Sequence, residues 1–476
     1  MPPYKSPLTT TFLLTLALGS WACSPVVPIN KGALGDACYA DGTCDSGLTC
    51  EQLECVAIAD PDPDPDPQPV AGTRQVLDPV RDLDILFVVD NSGSMRDEQA
   101  ALVAAFPGFA ALLTDSLGLP DLHIAVVSTD MGAGPYGIMG CQGDGDNGRM
   151  QNSPGFDCGA PTDAYIVDVL GEDGTSRTKN YPGQLADAFS CIAELGTTGC
   201  GFEQTFESIR RALDGTNEQN AGFLRDDAAL AVIVLSDEDD CSASDVGMFD
   251  SDPALDNIDS PLGSLGSHRC FEFGVQCNPD TPRTPGARQD CEVREDSAFM
   301  GGVTEYADFL KGLKSTSGKV FFSAVAGVGD VVIGDRDGEP RLDPGCTSVS
   351  GDAVPAIRIS ALAEAMGAPE PKSICQPLET PLAALGSDLN TMMSGQCLVV
   401  AADATGCSFA DVEKVGTASE RVVQALPPCE TSASGACAVV VSDLESCTYG
   451  SGLKVAIDRR SSSVPEDTRV VAICSE

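Results

Sequence analysis

The chain has 476 residues, a length that allows about two to four domains, and its 42% hydrophobic residues can supply a sizeable core. With 71 acidic against 28 basic residues it carries a formal net charge of −43, which would repel nucleic-acid phosphates and anionic membrane surfaces. The composition excludes a wholly disordered chain and argues against nucleic-acid binding, and the simplest role of the acidic surface is solubility.

The first residues predict export. Lys5 precedes an apolar segment from Thr11 to Ala22, which is too short to span a bilayer but suits the core of a signal peptide, assigned to residues 1 to 22. Cys23 follows directly, and the residues before it resemble a bacterial lipoprotein cleavage site, which implies a lipid on Cys23. Ser20 departs from the usual aliphatic residue of such sites. Ordinary cleavage after Ala22 is the alternative.

The 21 cysteines agree with export, because disulfides form in oxidising compartments. If Cys23 is lipidated, the other 20 divide into four from Cys38 to Cys55, ten from Cys141 to Cys375 and six from Cys397 to Cys474. Each count is even, as separate disulfide-closed domains require. The sequence has no C-x-x-C pair and only two histidines, so disulfides account for the cysteines better than a structural zinc site does.

Two short segments precede the main domain. Residues 23 to 56 hold the lipid-attachment cysteine and a small cysteine-rich module, which is too short to build a core and would be stapled by two disulfides. Residues 57 to 79 include the Asp-Pro repeat from Asp60 to Pro67, which predicts a stiff, extended linker. The linker would hold the next domain away from the membrane.

Residues 80 to 395 alternate buried strands with helical stretches, which is the pattern of an α/β, doubly wound, mostly parallel sheet. Apolar runs without alternation predict strands buried on both faces, at Leu83–Val89, His123–Ser128, Leu230–Leu235, Val320–Val325 and, more briefly, Ser373–Cys375. Helices are predicted at Arg96–Leu113, Phe202–Leu213, Val303–Leu313, Ile357–Met366 and Pro381–Met393. Pro107 is expected to kink or split the first helix. Insertions at 131–190, 240–298 and 328–355 are expected to be disulfide-tied surface loops.

Asp90, Ser92 and Ser94 follow the first predicted strand and offer hard oxygen ligands for a small divalent cation. In open α/β sheets, ligands bind beyond the carboxyl ends of the strands, where these residues lie. Two further pieces follow in order: the loop Gly196–Gly201 before a helix, and Asp237 after a buried strand. Together the three pieces resemble the metal-ion-dependent adhesion site (MIDAS) of a von Willebrand factor type A (VWA) domain.

This resemblance covers about two-thirds of the chain and implies a Rossmann-like VWA fold with a site for Mg²⁺, or for Ca²⁺ or Mn²⁺. It implies five metal-site residues: Asp90, Ser92, Ser94, Thr198 and Asp237. Thr197 is the alternative to Thr198. An acidic group of a partner would complete the coordination. The alternative that needs no metal is that the first three residues form an Asx turn and cap the following helix.

Residues 396 to 476 predict a small, disulfide-rich β module, because short apolar runs occur at Cys437–Val441, Leu453–Ile457 and Arg469–Cys474. The sequence as a whole predicts an exported, lipid-anchored protein of the bacterial cell envelope, at the outer membrane or cell surface. It would bind a protein or another envelope macromolecule through the metal site, in adhesion or assembly, and would not be an enzyme.

Two alternatives remain open at this stage. In the first, the protein is a scaffold of the envelope whose metal only stiffens the domain. In the second it is an exported hydrolase, for which G-x-S-x-G and H-E-x-x-H motifs are missing. His123 is expected in a core strand and His268 in an exposed loop, and neither has a recognisable nucleophile as its partner.

Overall fold

The computed structural model describes residues 44–45, 48–51, 54–57, 73–77, 81–114, 119–152, 158–171, 175–314, 319–393, 397–398, 406–417, 419–432, 435–442, 447, 452–460 and 468–474. The predicted signal peptide, Cys23 and the Asp-Pro repeat lie outside these residues. The chain divides into two compact units, Met1–Pro69 and Val70–Glu476.

The first unit contains a small antiparallel hairpin. Its strands are β1 (Leu48–Glu51) and β2 (Glu54–Ala57). A disulfide joins Cys44 to Cys55, and Cys55 is fully buried. This covalent closure is the kind that the sequence predicts for so short a module.

The second unit holds the remaining elements. From residue 73 to 213 these are β3 (Thr73–Val76), β4 (Asp82–Val89), α1 (Arg96–Leu112), β5 (Asp121–Ser128), β6 (Gly134–Ile138), β7 (Cys141–Gly143), β8 (Ile166–Leu170), β9 (Arg177–Lys179), α2 (Leu185–Ala193) and α3 (Thr205–Leu213). From residue 229 to 326 they are β10 (Ala229–Leu235), α4 (His268–Gly274), β11 (Val275–Asn278), β12 (Gly286–Val293), α5 (Val303–Gly312) and β13 (Val320–Ala326).

The elements that follow β13 extend to Cys474, the last described residue. From residue 331 to 393 the elements are β14 (Val331–Arg336), β15 (Glu339–Leu342), β16 (Cys346–Thr347), β17 (Asp352–Ala353), α6 (Ile357–Ala365), β18 (Lys372–Ser373) and α7 (Glu379–Met393). From residue 397 to 474 they are β19 (Cys397–Leu398), β20 (Cys407–Glu413), β21 (Arg421–Leu426), β22 (Cys437–Ser442), β23 (Leu453–Asp458) and β24 (Thr468–Cys474).

A seven-stranded sheet in the order β18-β13-β10-β4-β5-β8-β9 forms the centre of the second unit. The first five strands in this order run parallel, and β8 and β9 extend the sheet as antiparallel strands. The α/β class with a mostly parallel sheet is therefore confirmed. All five predicted strands and all five predicted helices are present, with bounds shifted by no more than three residues.

Strand β4 is buried on both faces because helices cover both sides of the sheet. Leu83, Ile85 and Phe87 face one hydrophobic cluster, which α1, α2 and α7 complete. Leu86 and Val88 face a second cluster, which α3, α5 and α6 complete. Apolar residues are therefore favourable on both faces of the strand, which explains the apolar run from Ile85 to Val89. Asp84 is the exception, and it is buried in ion pairs with Arg225 and Lys314.

Pro107 does not split α1, which runs without interruption from Arg96 to Leu112. The proline ring lies on the exposed side of the helix, while its neighbours Phe106 and Phe109 are buried against the sheet. Proline cannot donate one of the helical hydrogen bonds, and burial of these aromatic rings stabilises the helix at this point. Of the predicted kink or split, the split was therefore wrong, whereas a kink at Pro107 stays a prediction.

The insertions contain more regular structure than surface loops. Within residues 131–190, β8 joins the central sheet through pairing of Ile166 with Ile124. Strands β11, β12, β14 and β15, from the other two insertions and their borders, form a separate four-stranded sheet. These strands are short and of mixed polarity, so no local pattern predicts them. The five disulfides of this region are Cys141–Cys200, Cys158–Cys191, Cys241–Cys270, Cys277–Cys291 and Cys346–Cys375.

The C-terminal residues form two small sheets, in the orders β19-β23-β22 and β21-β20-β24-β3. Strand β3 comes from the segment assigned to the linker, so this segment contributes an edge strand before the chain enters the central sheet. Three disulfides close the module: Cys397–Cys447, Cys407–Cys474 and Cys429–Cys437. None of the helices in the described part of the chain combines the length and apolarity that crossing a bilayer requires.

Candidate metal centre

Three parallel strands place the candidate site at the carboxyl edge of the central sheet. The N–H of Asp90, directly after β4, donates a hydrogen bond to the Leu235 carbonyl at the end of β10 (2.9 Å). The N–H of Ser236 donates in turn to the Val325 carbonyl of β13 (3.2 Å). The loops that carry Asp90 and Asp237 are therefore neighbours, as the sequence predicts for strands that run parallel.

The turn from Asp90 to Ser94 presents its side-chain oxygens as a group. The Ser92 N–H donates to Asp90 Oδ1 (2.8 Å), which is an Asx turn. The hydroxyls of Ser92 and Ser94 lie 3.1 Å apart. The residue that caps α1 is Met95, and no side-chain hydrogen bond caps this helix. The Asx turn is therefore confirmed, whereas the two hydroxyls are not used as helix caps.

A second loop is held beside this turn by hydrogen bonds. The Gln99 side chain of α1 donates to the carbonyls of Asp90 and Gly196, both at 2.9 Å, and accepts from the Gly196 N–H. The Gly199 N–H donates to the Asn91 carbonyl (3.0 Å). A Cβ atom at Gly199 would lie 2.1 Å from Asn91 Oδ1, so a larger residue there would have to displace the Asn91 amide. The loop Gly196–Gly201 thus lies where the resemblance placed it.

Neither threonine of this loop has a fully buried side chain. Thr198 is exposed and Thr197 is half-buried. The side chain that faces Asp90 from this region is Glu203, which is fully buried and accepts a hydrogen bond from the Thr129 hydroxyl (2.5 Å). The assignment of Thr198 stays a prediction, and Glu203 is a site residue that the sequence analysis missed.

The position of Glu203 follows from where its helix begins. The predicted helix started at Phe202, which would have put Glu203 in the first turn on a helix surface. In the structure α3 begins at Thr205, and Glu203 lies in the extended segment before it, with the Cys241 N–H donating to its carbonyl (2.7 Å). The signal in the sequence was a carboxylate, that of Glu203, directly before a helix whose residues are mostly buried.

The other side of the site is formed by the residues after β10. Asp237 is 5% exposed, and its carboxylate lies against the Ser94 hydroxyl and Asp90. The Ser236 hydroxyl donates to Asp90 Oδ2 at 2.8 Å. Asp90 is fully buried and has one oxygen bonded within its own turn and the other bonded across the sheet edge. Asp90, Ser92, Ser94 and Asp237 are therefore brought together as predicted.

Acidic groups dominate the electrostatics of this site. Burial raises the pKa of Asp90, and burial together with the charge of Asp90 raises the pKa of Asp237 to about 7. Burial and the Asp90 charge raise the pKa of Glu203 well above its usual range and that of Glu238 to about 8. The pKa of Glu98 is raised by burial and by neighbouring carboxylates. No lysine or arginine is among the groups that cause these pKa shifts.

Several buried oxygens around the cluster accept no hydrogen bond from the described residues. They are Asn91 Oδ1, Glu98 Oε2, Glu203 Oε1 and Asp237 Oδ1. Buried polar atoms are rarely left without a partner, and such atoms commonly bind an ion or a water molecule. Because these four atoms are all hard oxygen acceptors, the residues present fit a small divalent cation better than an anion or a thiol-binding metal.

Hydroxyls would have to contribute to any such site. Among the described residues, only Cys429, Cys437 and Asp458 form a trio of His, Cys, Asp or Glu side chains whose ligand atoms lie within 4.8 Å of one another. Cys429 and Cys437 are joined as a disulfide and cannot ligate a metal as thiolates. Carboxylates alone therefore do not converge near Asp90, and Ser92 and Ser94 would supply the remaining oxygens.

Comparisons with known proteins give limited matches. No family model and no curated protein matches the chain. Among solved structures it is similar to a von Willebrand factor type A protein from Catenulispora acidiphila, with 12% identity and a TM-score of 0.27 over 83% of this chain and 58% of that one. It is also similar to the pilus adhesin SpaC from Lactobacillus rhamnosus GG in its open conformation, with 12% identity and a TM-score of 0.30 over 85% of this chain and 40% of that one. The chain thus spans less than two-thirds of the length of either structure.

Proposed function

We propose that the central domain is of the VWA type and that the protein binds a macromolecular partner through a divalent cation at the carboxyl edge of its sheet. Mg²⁺ is the favoured cation, with Ca²⁺ or Mn²⁺ as alternatives. The proposed site residues are Asp90, Ser92, Ser94, Glu203 and Asp237. The observation that carries the proposal is the set of buried, unpartnered oxygens beside the hydroxyl pair of Ser92 and Ser94.

Each residue has a distinct role in this proposal. Ser92 and Ser94 supply neutral hydroxyls, while Asp90 and Asp237 supply the charge that holds the cation directly or through water. Ser236 and the Ser92 N–H fix the two oxygens of Asp90, so the turn is organised before a cation binds. A bound cation would offer a coordination position to an oxygen of the partner, and an acidic side chain is the partner group that the family resemblance implies.

The cellular setting is part of the proposal. Nine disulfides join described cysteines, which supports an oxidising compartment outside the cytoplasm. The predicted signal peptide and Cys23 support export and a lipid anchor in the cell envelope. Adhesion or assembly at that surface is the proposed process. Mass analysis of the mature N-terminus tests the anchor, because an unmodified Cys23 is incompatible with it.

Partner capture tests the role of the cation. The full mature chain is incubated with solubilised envelope material in Mg²⁺, in Ca²⁺ and in chelator, alongside Asp90→Ala and Ser92→Ala variants. We expect the captured partner to be lost in chelator and in both variants. Asp226→Asn is the matched control, because Asp226 is exposed and lies at the opposite edge of the sheet. Capture that is unchanged by chelator and by both variants would refute metal-mediated binding.

A stabilising role without partner binding is the second candidate. The same unpartnered oxygens favour it, because an ion that satisfied them would stiffen the loops around β4 and β10 whether or not a partner was present. Thermal unfolding separates the two roles when it is measured beside capture. A scaffold would melt at a lower temperature in chelator yet capture the same material with and without the cation.

We further propose that the protein is not an enzyme. His123 is 9% exposed and its Nδ1 lies 2.9 Å from the Phe223 carbonyl, as a core histidine is expected to do. His268 is half-buried at the start of α4 rather than exposed in a loop, and its Nε2 lies 2.7 Å from the Pro282 carbonyl. Each histidine is therefore engaged by a backbone carbonyl, which supports a structural role.

A further inference from the structure

A groove of about 1080 Å³ lies between α6, β12 and the loop that follows β13. Its floor is apolar, with Val293 from β12, Val331 from β14, and Ile357 and Ala361 from α6. All four side chains are only half-buried, so they present apolar surface to the groove. The volume is at the upper limit of small-molecule sites, which span about 300–1,000 Å³.

The rim of the groove is acidic. Glu292, Glu295, Glu364 and Glu370 line it and are all exposed, and no lysine or arginine is among the lining residues. None of the four carboxylates forms an ion pair with a basic side chain in the described part of the chain. The groove therefore combines apolar contact area with four carboxylates that have no basic partner among the described residues.

Hydrogen bonds join the wall of the groove to the loop of the metal centre. The Ala356 N–H donates to the Gly327 carbonyl (3.0 Å), and both residues line the groove. Two residues earlier, the Val354 N–H donates to the Asp237 carbonyl (2.9 Å). The wall of the groove is therefore connected, through residues 354 to 356, to the loop that carries Asp237.

We infer that this groove binds a cationic, partly apolar peptide segment of a partner protein. Lysine or arginine side chains would pair with the glutamates, while apolar side chains would cover Val293, Ile357 and Ala361. Charge argues against the chain's own Asp-Pro repeat, which is acidic, as the occupant. It also argues against a second copy of this chain, which carries a net charge of −43.

Fluorescence anisotropy with a designed peptide tests this inference. The probe is a labelled, amphipathic 15-residue peptide of Lys and Leu, and its counterpart has Glu in place of Lys. Both are titrated with the full chain in chelator, so that binding does not depend on the metal centre. We expect the Lys peptide to bind, with affinity that falls as salt rises, and the Glu peptide not to bind.

Matched variants show where the peptide binds. One variant combines Glu292→Gln, Glu364→Gln and Glu370→Gln; Glu295 is kept because it accepts hydrogen bonds from the Thr304 N–H at the start of α5. The control removes the same charge from exposed positions elsewhere, with Glu218→Gln, Asp226→Asn and Glu430→Gln. We expect about tenfold weaker binding by the groove variant, since each exposed pair contributes modestly, and less than twofold weakening by the control.

A single substitution in the floor of the groove tests the position of the bound peptide independently. Ala361→Arg places a long cation inside the groove and should weaken binding of the Lys peptide at least as much as the triple change does. Circular dichroism confirms that each variant keeps the thermal midpoint of the parent. Equal weakening by groove and control variants, or full binding by Ala361→Arg, would show that the peptide responds only to the overall charge and would overturn the inference.

Discussion

Five carboxyl groups around Asp90 have raised pKa values: Asp90, Glu98, Glu203, Asp237 and Glu238. Replacing Asp237 with Asn removes one of these charges and keeps the size of the side chain. Burial and the charge of Asp90 raise the pKa of Asp237 to about 7, about three units above the value near 3.9 of an unfolded chain. A carboxyl whose pKa is raised in the folded state lowers stability as pH rises from about 4 to 7, because the unfolded state releases its proton in this range while the folded state still holds one. Ionised Asp237 therefore destabilises the fold by about 4 kcal/mol at most.

The amide relieves only part of this energy. A buried amide that lacks a full set of partners costs about 1–2 kcal/mol, which leaves a net gain of about 2 kcal/mol for Asp237→Asn in chelator at pH 8. For the unit Val70–Glu476, with an unfolding entropy of about 2.1 cal/mol/K per residue, that gain raises the thermal midpoint by about 2–3 °C. The parent should instead gain about 2.7 kcal/mol, or roughly 3 °C, when Mg²⁺ is present at 100 times its Kd.

The two effects should change the order of stability between buffers. In chelator, the Asp237→Asn variant should have a higher thermal midpoint than the parent. In 10 mM Mg²⁺, the thermal midpoint of the parent should rise and that of the variant should not. Thermal unfolding followed by circular dichroism at pH 8 measures both, with Asp226→Asn as the exposed control. A parent midpoint that does not respond to Mg²⁺, together with a variant that melts below it in chelator, would refute the electrostatic reasoning.

Four further variants test the site and the core. Glu203→Gln should weaken Mg²⁺ binding at least tenfold by calorimetry, whereas Thr198→Ala should change it less than twofold; the reverse order would restore Thr198 as the ligand. Burial lowers the pKa of His123, so stability should fall as pH drops below about 6.5, and urea unfolding at pH 7.5 and 5.5 should show a smaller fall for His123→Gln. Phe189, stacked on Phe106 with ring centroids 3.7 Å apart, should cost about 3–5 kcal/mol when replaced by Ala; an unchanged midpoint would contradict the described core.

The central sheet could be predicted because its strands are buried on both faces. Runs such as Leu230–Leu235 contain no polar residue, and helices of ordinary length separate them. Strand β8 could not be predicted in this way, because its Ile166–Leu170 segment includes Asp168. Asp168 is buried only because Arg177 and Tyr181 reach it from later in the chain. Such a partner is not visible in a local pattern.

The residues of the candidate site also differ in how well the sequence predicts their positions. Asp90, Ser92 and Ser94 are adjacent in sequence, and Asp237 follows an unmistakable strand, so their convergence follows from the parallel sheet. Glu203 depended on the exact start of a helix, and helix boundaries are the weakest part of a sequence prediction. Thr198 lies in a loop without regular structure, so its exposure could not be predicted from a periodic pattern.

Strand β3 joins the segment before the central sheet to the C-terminal module. It pairs antiparallel with β24, with Val76 opposite Val471, and the chain continues from it into β4 and the candidate metal centre. Under the proposed function, in which the linker leads to an anchor and a partner binds near Asp90, β3 lies on the chain between these two points of attachment. The Cys407–Cys474 disulfide ties β24 to β20 behind it. The pairing of β3 with β24, together with this disulfide, therefore fastens the N-terminal end of the second unit to its C-terminal end.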